Sequence, residues 1–251
     1  REIARSMGGE LALLDDLGAI VIIAFFAIVG FCAWKVNQQR ASAFAAAADR
    51  MGFVDKGSAS PFAGSDAAGL TLLTDTMQHV YRNVLVDKRG SLVVVPGFQY
   101  VLPVGMMRKG MGAVTDDEMQ NHSLVAFRAP HGSLPIFQVY SRGAIGNVGI
   151  PVDATAFSGM KTAAGVDTGS PEFSERYVIS TKDEAGVARV FTPALVKAFV
   201  DQPAMTWLHV QTSADWLLFY DPRILILKPE DVEPALQRVR PIASLLLGAR
   251  A

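Results

Sequence analysis

The sequence predicts an α+β protein in which one N-terminal transmembrane helix precedes a mostly antiparallel sheet with helices packed against it. Three observations carry this. Residues 17–34 (LGAIVIIAFFAIVGFCAW) hold no charge and no proline. Residues 80–140 repeat short β-branched and aromatic runs bounded by Gly, Pro and Asp, the pattern of strands joined by turns. From residue 181 on, the chain carries helix-start signals at Thr181, Thr192 and Pro229.

The apolar run comes first. At about 1.5 Å per residue it covers roughly 27 Å, close to the roughly 30 Å of a bilayer core. A signal peptide has a basic flank before a shorter apolar stretch, whereas here Glu10, Asp15 and Asp16 precede it. A buried core helix or an interfacial helix shows a polar face, and this run is apolar all round. It therefore reads as a membrane anchor that includes Leu17 and Ile22, with Phe25, Phe26 and Phe31 available to lipid, pigment or a partner helix, lipid being the plainest reading, and Trp34 at the interface. Lys35 and Arg40 follow it closely, while Arg1 and Arg5 stand further off. The positive-inside rule then places the C-terminal domain in the cytoplasm, on a bacterial inner membrane. Ala24, Ala27 and Gly30 recur every third residue, not at the four-residue GxxxG spacing, so self-dimerisation through this helix is not indicated.

Residues 1–16 read as a short leader able to extend the helix outward. Residues 35–52 read as a helical stem, because FAAAADRM is rich in helix formers and Gly52 is a natural stop. Residues 53–251 form the α+β domain, with a sub-boundary in the glycine-rich 143–170 loop.

Within that domain a short strand is expected at Phe53-Val54. A hairpin follows, from Val80–Val86 through the turn Asp87-Lys88-Arg89-Gly90 to Leu92–Val95 and Phe98–Leu102, with Pro96-Gly97 as a bulge or edge feature. Ser123–Arg128 and Pro135–Tyr140 read as a second strand pair around Ala129-Pro130-His131-Gly132. Glu172–Ile179 contains a strand, RYVI. Thr181 and Glu184 have the spacing of a capping box, and Thr192-Pro193 opens a helix whose apolar face is Leu195, Val196 and Phe199. Two strands are expected near 206–211 and 216–220, with a third near Ile224–Leu227. A last helix starts at Pro229-Glu230-Asp231 and runs to about Leu247, with a kink at Pro241.

Composition narrows function mainly by exclusion. The 251 residues carry a net charge of -1, and no basic stripe suggests nucleic acid. The single cysteine, Cys32, lies in the apolar run, so the chain makes no internal disulfide. His79, His122, His131 and His209 sit at no metal-ligand spacing, no GxSxG elbow appears, and Gly143, Gly146 and Gly149 form neither GxGxxG nor a P-loop. Asp116, Asp117 and Glu118 read as a solvated acidic loop. Glu172, Glu175, Arg176, Asp183 and Glu184 read as an ion-paired surface rather than a carboxylate dyad. No catalytic residue, cofactor site or metal site is expected. Met106, Met107, Arg108, Lys109 and Met111 form an apolar-basic patch suited to a partner protein or lipid headgroups.

Several of these segments, TMQHVYRNVLVDKRG, SLVAFRAP with LPIFQVYSRG, SPEFSERYVISTKDEAGVARVFTPALVKAF and PEDVEPALQRVRPIASLL, resemble a family of bacterial single-pass membrane-anchored proteins with no established activity. The resemblance covers about Ala41 to Leu247, including Gly52-Phe53, with Val190 where the family pattern has leucine. Residues 105–117 and 143–165 look unlike the pattern. The resemblance implies an anchored α+β domain and brings no catalytic residue with it. The expectation is a noncatalytic accessory or structural subunit that docks on and stabilises a larger membrane protein complex, photosynthetic or respiratory. Its partners are membrane lipid and other membrane protein subunits. The alternative is a membrane-tethered enzyme or small-ligand-binding domain, which a deep pocket with convergent polar groups would favour.

Overall fold

The computed structural model describes residues 2–63, 70, 78–101, 120–142, 166, 168–202, 208–220 and 226–248. The chain divides into two compact units, Arg1–Ala43 and Phe44–Ala251. The second unit begins inside the stretch read as stem.

The first unit is helical. Helix α1 spans Glu2–Ala48, taking in the leader, the apolar run and most of the stem without a break. From Ile20 to Val36 its large apolar side chains are exposed on every side, from 48% at Val29 to 68% at Ile23. Among the described residues this is one helix long and apolar enough to cross a membrane. Its end is as read. A 3-10 turn, Asp49–Met51, leads to Gly52 at φ +82°, whose N–H reaches back to the Asp49 carbonyl. Only glycine adopts that left-handed conformation freely.

The second unit is built on one sheet. Its strands are β1 (Phe53–Asp55), β2 (Gln78–Arg82), β3 (Leu85–Asp87), β4 (Leu92–Val101), β5 (Gln120–Arg128), β6 (Phe137–Ser141), β7 (Tyr177–Thr181), β8 (His209–Thr212) and β9 (Trp216–Tyr220). The order is β1-β3-β4-β5-β9-β8-β6-β7, with β2 also on β4, and all pairs among the described strands are antiparallel. The α+β reading holds.

The first hairpin forms as expected around Asp87, whose carboxylate accepts from the Ser91 and Leu92 N–H groups. Its first arm is split, however. Asn83 sits at φ +57° and separates β2 from β3, a conformation asparagine tolerates better than most residues. At Pro96-Gly97 the β4–β5 register shifts, the bulge that proline called for. A Cβ on Gly97 would stand 3.0 Å from the Arg82 Cβ across the pair.

The second strand pair read from the sequence does not exist. β5 pairs with β4 and β9, and β6 pairs with β7 and β8. The β8–β9 hairpin, from far down the chain, inserts between them. The expected RYVI strand is β7, beginning at Tyr177, and PEFSER before it is helix α2 (Pro171–Arg176), capped by the Ser170 hydroxyl with proline at its first turn. Helix α3 (Glu184–Val190) is capped by Asp183, which accepts from the Gly186 N–H. Thr181 instead accepts from the Asp183 N–H and donates to the Ile136 carbonyl. Helix α4 (Pro193–Val200) has the expected Thr192 cap and buries Leu195, Val196 and Phe199. A 3-10 turn, Pro229–Asp231, precedes α5 (Val232–Leu247), which contains Pro241. Of the strand expected near Ile224–Leu227, residues 226 and 227 carry no strand and the rest lies outside the described residues.

The two faces of the sheet differ. The first packs Leu85, Val94, Val125, Phe127, Phe219, Val210, Val139 and Ile179 against the helices, including Phe44 and Ala48 from the end of α1. The second carries Val93, Val95, Phe98, Leu124, Ala126, Leu218, Tyr220 and Trp216, with Phe62 and Leu70 over them.

Candidate functional site

The second face changes character along the strand order. On β4, β5 and β9 it is mostly apolar. On β8, β6 and β7 the alternation brings up His209 and Gln211, Gln138 and Tyr140, then Ser180. Two cross-strand rows result. One runs Leu124–Tyr220–His209, and the other runs Ala126–Leu218–Gln211–Gln138–Ser180. His209 is 0% exposed, and Gln138 and Gln211 are 1%. Burying polar groups on a sheet face is costly unless each finds a hydrogen bond, and among these the ring nitrogens of His209 have no partner among the described residues.

An aromatic band crosses the same face. His79 stacks on Phe98 at 5.8 Å, and Tyr81 lies 5.5 Å from Phe98. Phe98 is the cross-strand neighbour of His122. His122 meets Tyr220 edge-on at 6.0 Å, and Tyr220 stacks on His209 at 4.6 Å and 14°. Tyr140 closes the band against His209 at 5.5 Å. Three histidines that look scattered along the chain are thus gathered in one band.

Burial sets their charge. It lowers His122 from 6.5 to about 4. His209 falls to about 3, mainly by burial, with the neighbouring His122 charge adding to it. Both rings are therefore neutral at neutral pH. A neutral imidazole carries one N–H donor and one bare nitrogen acceptor. Such groups can hold an uncharged polar ligand, but they offer no acid at physiological pH.

The fourth histidine, His131, lies apart and exposed, its Nδ1 2.7 Å from the Asp215 carboxylate. Arg176 donates to the Val200 and Gln202 carbonyls at the end of α4, while Asp183 is occupied as a helix cap. Glu172 and Glu175 are exposed on α2. Among the described residues no three His, Cys, Asp or Glu side chains gather to hold a metal. Under α5 a cavity of about 20 Å³, lined by Val125, Leu208, Phe219, Ile226 and Val239, has room for about one water.

Of the anchor residues, Ile22, Phe25, Phe26, Phe31 and Trp34 are all exposed, at 57–66%. Leu17 lies on the helix, with its side chain outside the described residues. Met106, Met107, Arg108, Lys109 and Met111, the acidic run at 116–118 and the 143–165 loop lie outside the described residues. Sequence spacing could not have found the band, since its histidines are brought together only by the strand order. The one local signal was polar residues at inward positions of β8 and β6.

No protein-family model matches the chain, and no curated protein matches it in sequence. Among solved structures, the chain is similar to the mycobacterial trehalose monomycolate transport factor A, TtfA. The likeness has a TM-score of 0.48 at 14% identity and covers 82% of this chain and 93% of that one.

Proposed function

We propose that this chain is a noncatalytic, single-pass accessory subunit that docks on and stabilises a larger membrane protein complex. The observation that carries the reading is the all-round exposure of the apolar side chains from Ile20 to Val36. In water that surface is costly at about 25 cal/mol per Å²; in a bilayer it is at home. The same helix supplies Phe44 and Ala48 to the core of the second unit, so anchor and domain share one unbroken element.

The domain lies on the cytoplasmic side of a bacterial inner membrane, by the lysine and arginine balance around the helix. The Met106–Met111 patch contacts a partner subunit, and a photosynthetic or respiratory complex is the host. Solubilising native membranes in mild detergent and running native gels tests this. The expected result is migration in an assembly of fixed composition, with crosslinks from residues 106–111 to one defined subunit. Migration only as a free monomer, or recovery in the supernatant after membranes are pelleted without detergent, rejects it.

A further inference from the structure

His209 is fully buried, and among the described residues neither of its ring nitrogens has a hydrogen-bond partner. A fold that needed only packing here would place Phe or Leu, as it does at Phe98 and Leu218 on the same face. Buried polar groups without partners are rare in native structures and concentrate where function requires them. The ring is also held in place, with Tyr220 flat against it and Tyr140 at its edge. Orientation is thus fixed by aromatic contacts that leave both nitrogens uncommitted.

We propose that His209 anchors a binding site for an uncharged ligand that presents a hydroxyl or primary amide group to the imidazole. Such a group both donates and accepts, which matches the one acceptor and one donor of a neutral ring. The described strands favour a neutral ligand. Between His122 and Ser180, the described strands place Tyr, Gln, Ser and apolar side chains on this face, and no carboxylate, ammonium or guanidinium except the exposed Arg128 at the far end of β5. A charged ligand would find no counter-ion on these strands, and burial penalises an uncompensated charge heavily. Tyr220 and Tyr140 supply apolar ring surface beside the polar anchor, the mixture that small-ligand sites use.

The test uses the full chain in nanodiscs with ¹⁵N-labelled histidine. Glycerol and acetamide are titrated as neutral probes, and acetate and ammonium as charged ones. The proposal expects saturable shifts of the His209 nitrogens with the two neutral probes and none with the charged pair. His209→Phe, which keeps the ring on Tyr220, should abolish the accompanying shift of the Tyr220 ring signals. Should that variant not fold, the wild-type titration decides alone. Silence to all four probes, an equal response to acetate, or a coupling from a His209 nitrogen to a protein acceptor overturns the proposal. The last outcome would make the ring a structural hydrogen-bonding group only.

Discussion

His209 lies flat against Tyr220, with ring centroids 4.6 Å apart and planes 14° from parallel, and His122 meets the same Tyr220 ring edge-on. Protonating either imidazole puts a positive charge into a buried band. In the unfolded chain both titrate near 6.5, while in the folded protein they are lowered to about 4 and about 3. Below 6.5 the unfolded state therefore binds protons that the native state refuses. Stability is full above about 6.5, falls as pH drops, and this contribution levels off once the folded values are passed. The slope is roughly 1.4 kcal/mol per pH unit for each histidine. Urea melts between pH 7 and pH 4 should show the loss, and His209→Phe should remove about half of the slope. An unchanged pH profile in that variant would mean that His209 does not titrate in this way.

Phe44 marks where the long helix enters the globular unit. It is 0% exposed and belongs to the cluster on the first face, whereas Phe31 on the same helix is 58% exposed. Phe44→Ala should destabilise the second unit by about 3–5 kcal/mol, the usual result of emptying a buried phenylalanine site. Phe31→Ala should change the same transition by less than about 0.5 kcal/mol, as surface changes do. Thermal melts in detergent followed by tryptophan fluorescence would separate the two.

These contrasts also show which features were legible beforehand. The anchor, the Gly52 stop, the Thr192 cap and the Pro96-Gly97 bulge each depend on a few consecutive residues, and each could be read directly. The RYVI strand is likewise local and is β7, whereas the short helix before it, capped by Ser170 with Pro171 in its first turn, has no counterpart in the sequence reading. The β5–β6 pairing failed for a deeper reason. Neighbouring strands in sequence pair only if nothing better intervenes, and β9 and β8 intervene from about ninety residues away. The aromatic band follows from that same rearrangement, so no local pattern could have placed His122 near His209.

At the start of α3 the Asp183 carboxylate accepts from the Gly186 N–H at 2.8 Å, and a Cβ added to Gly186 would sit 2.0 Å from Asp183 Oδ2. Glycine is thus required by the cap and not by the helix. Gly186→Ala should cost about 0.5–2 kcal/mol, the worth of an N-cap. In an Asp183→Ala background the obstructing carboxylate is gone. The same Gly186→Ala change should then stabilise, by up to about 1 kcal/mol from helix propensity. A double-mutant cycle by chemical denaturation reads this reversal of sign, and simple additivity would show that the two side groups do not meet.

The anchor allows an equally direct trial. Ile22 and Phe26 lie on successive turns of α1 and are 58% and 66% exposed. Each lysine placed near the centre of a spanning helix costs roughly 2.5–3.5 kcal/mol for insertion. Ile22→Lys with Phe26→Lys together should therefore move the protein from the membrane pellet into the alkaline-wash supernatant. The second unit begins only at Phe44, so its melting transition should survive the double change. Loss of that transition would show that the helix serves the globular core along its whole length. Retention of the variant in the pellet after the wash would show that something other than this helix holds the chain to lipid. The two readouts are independent, which makes the pair a test of anchoring separate from any test of folding.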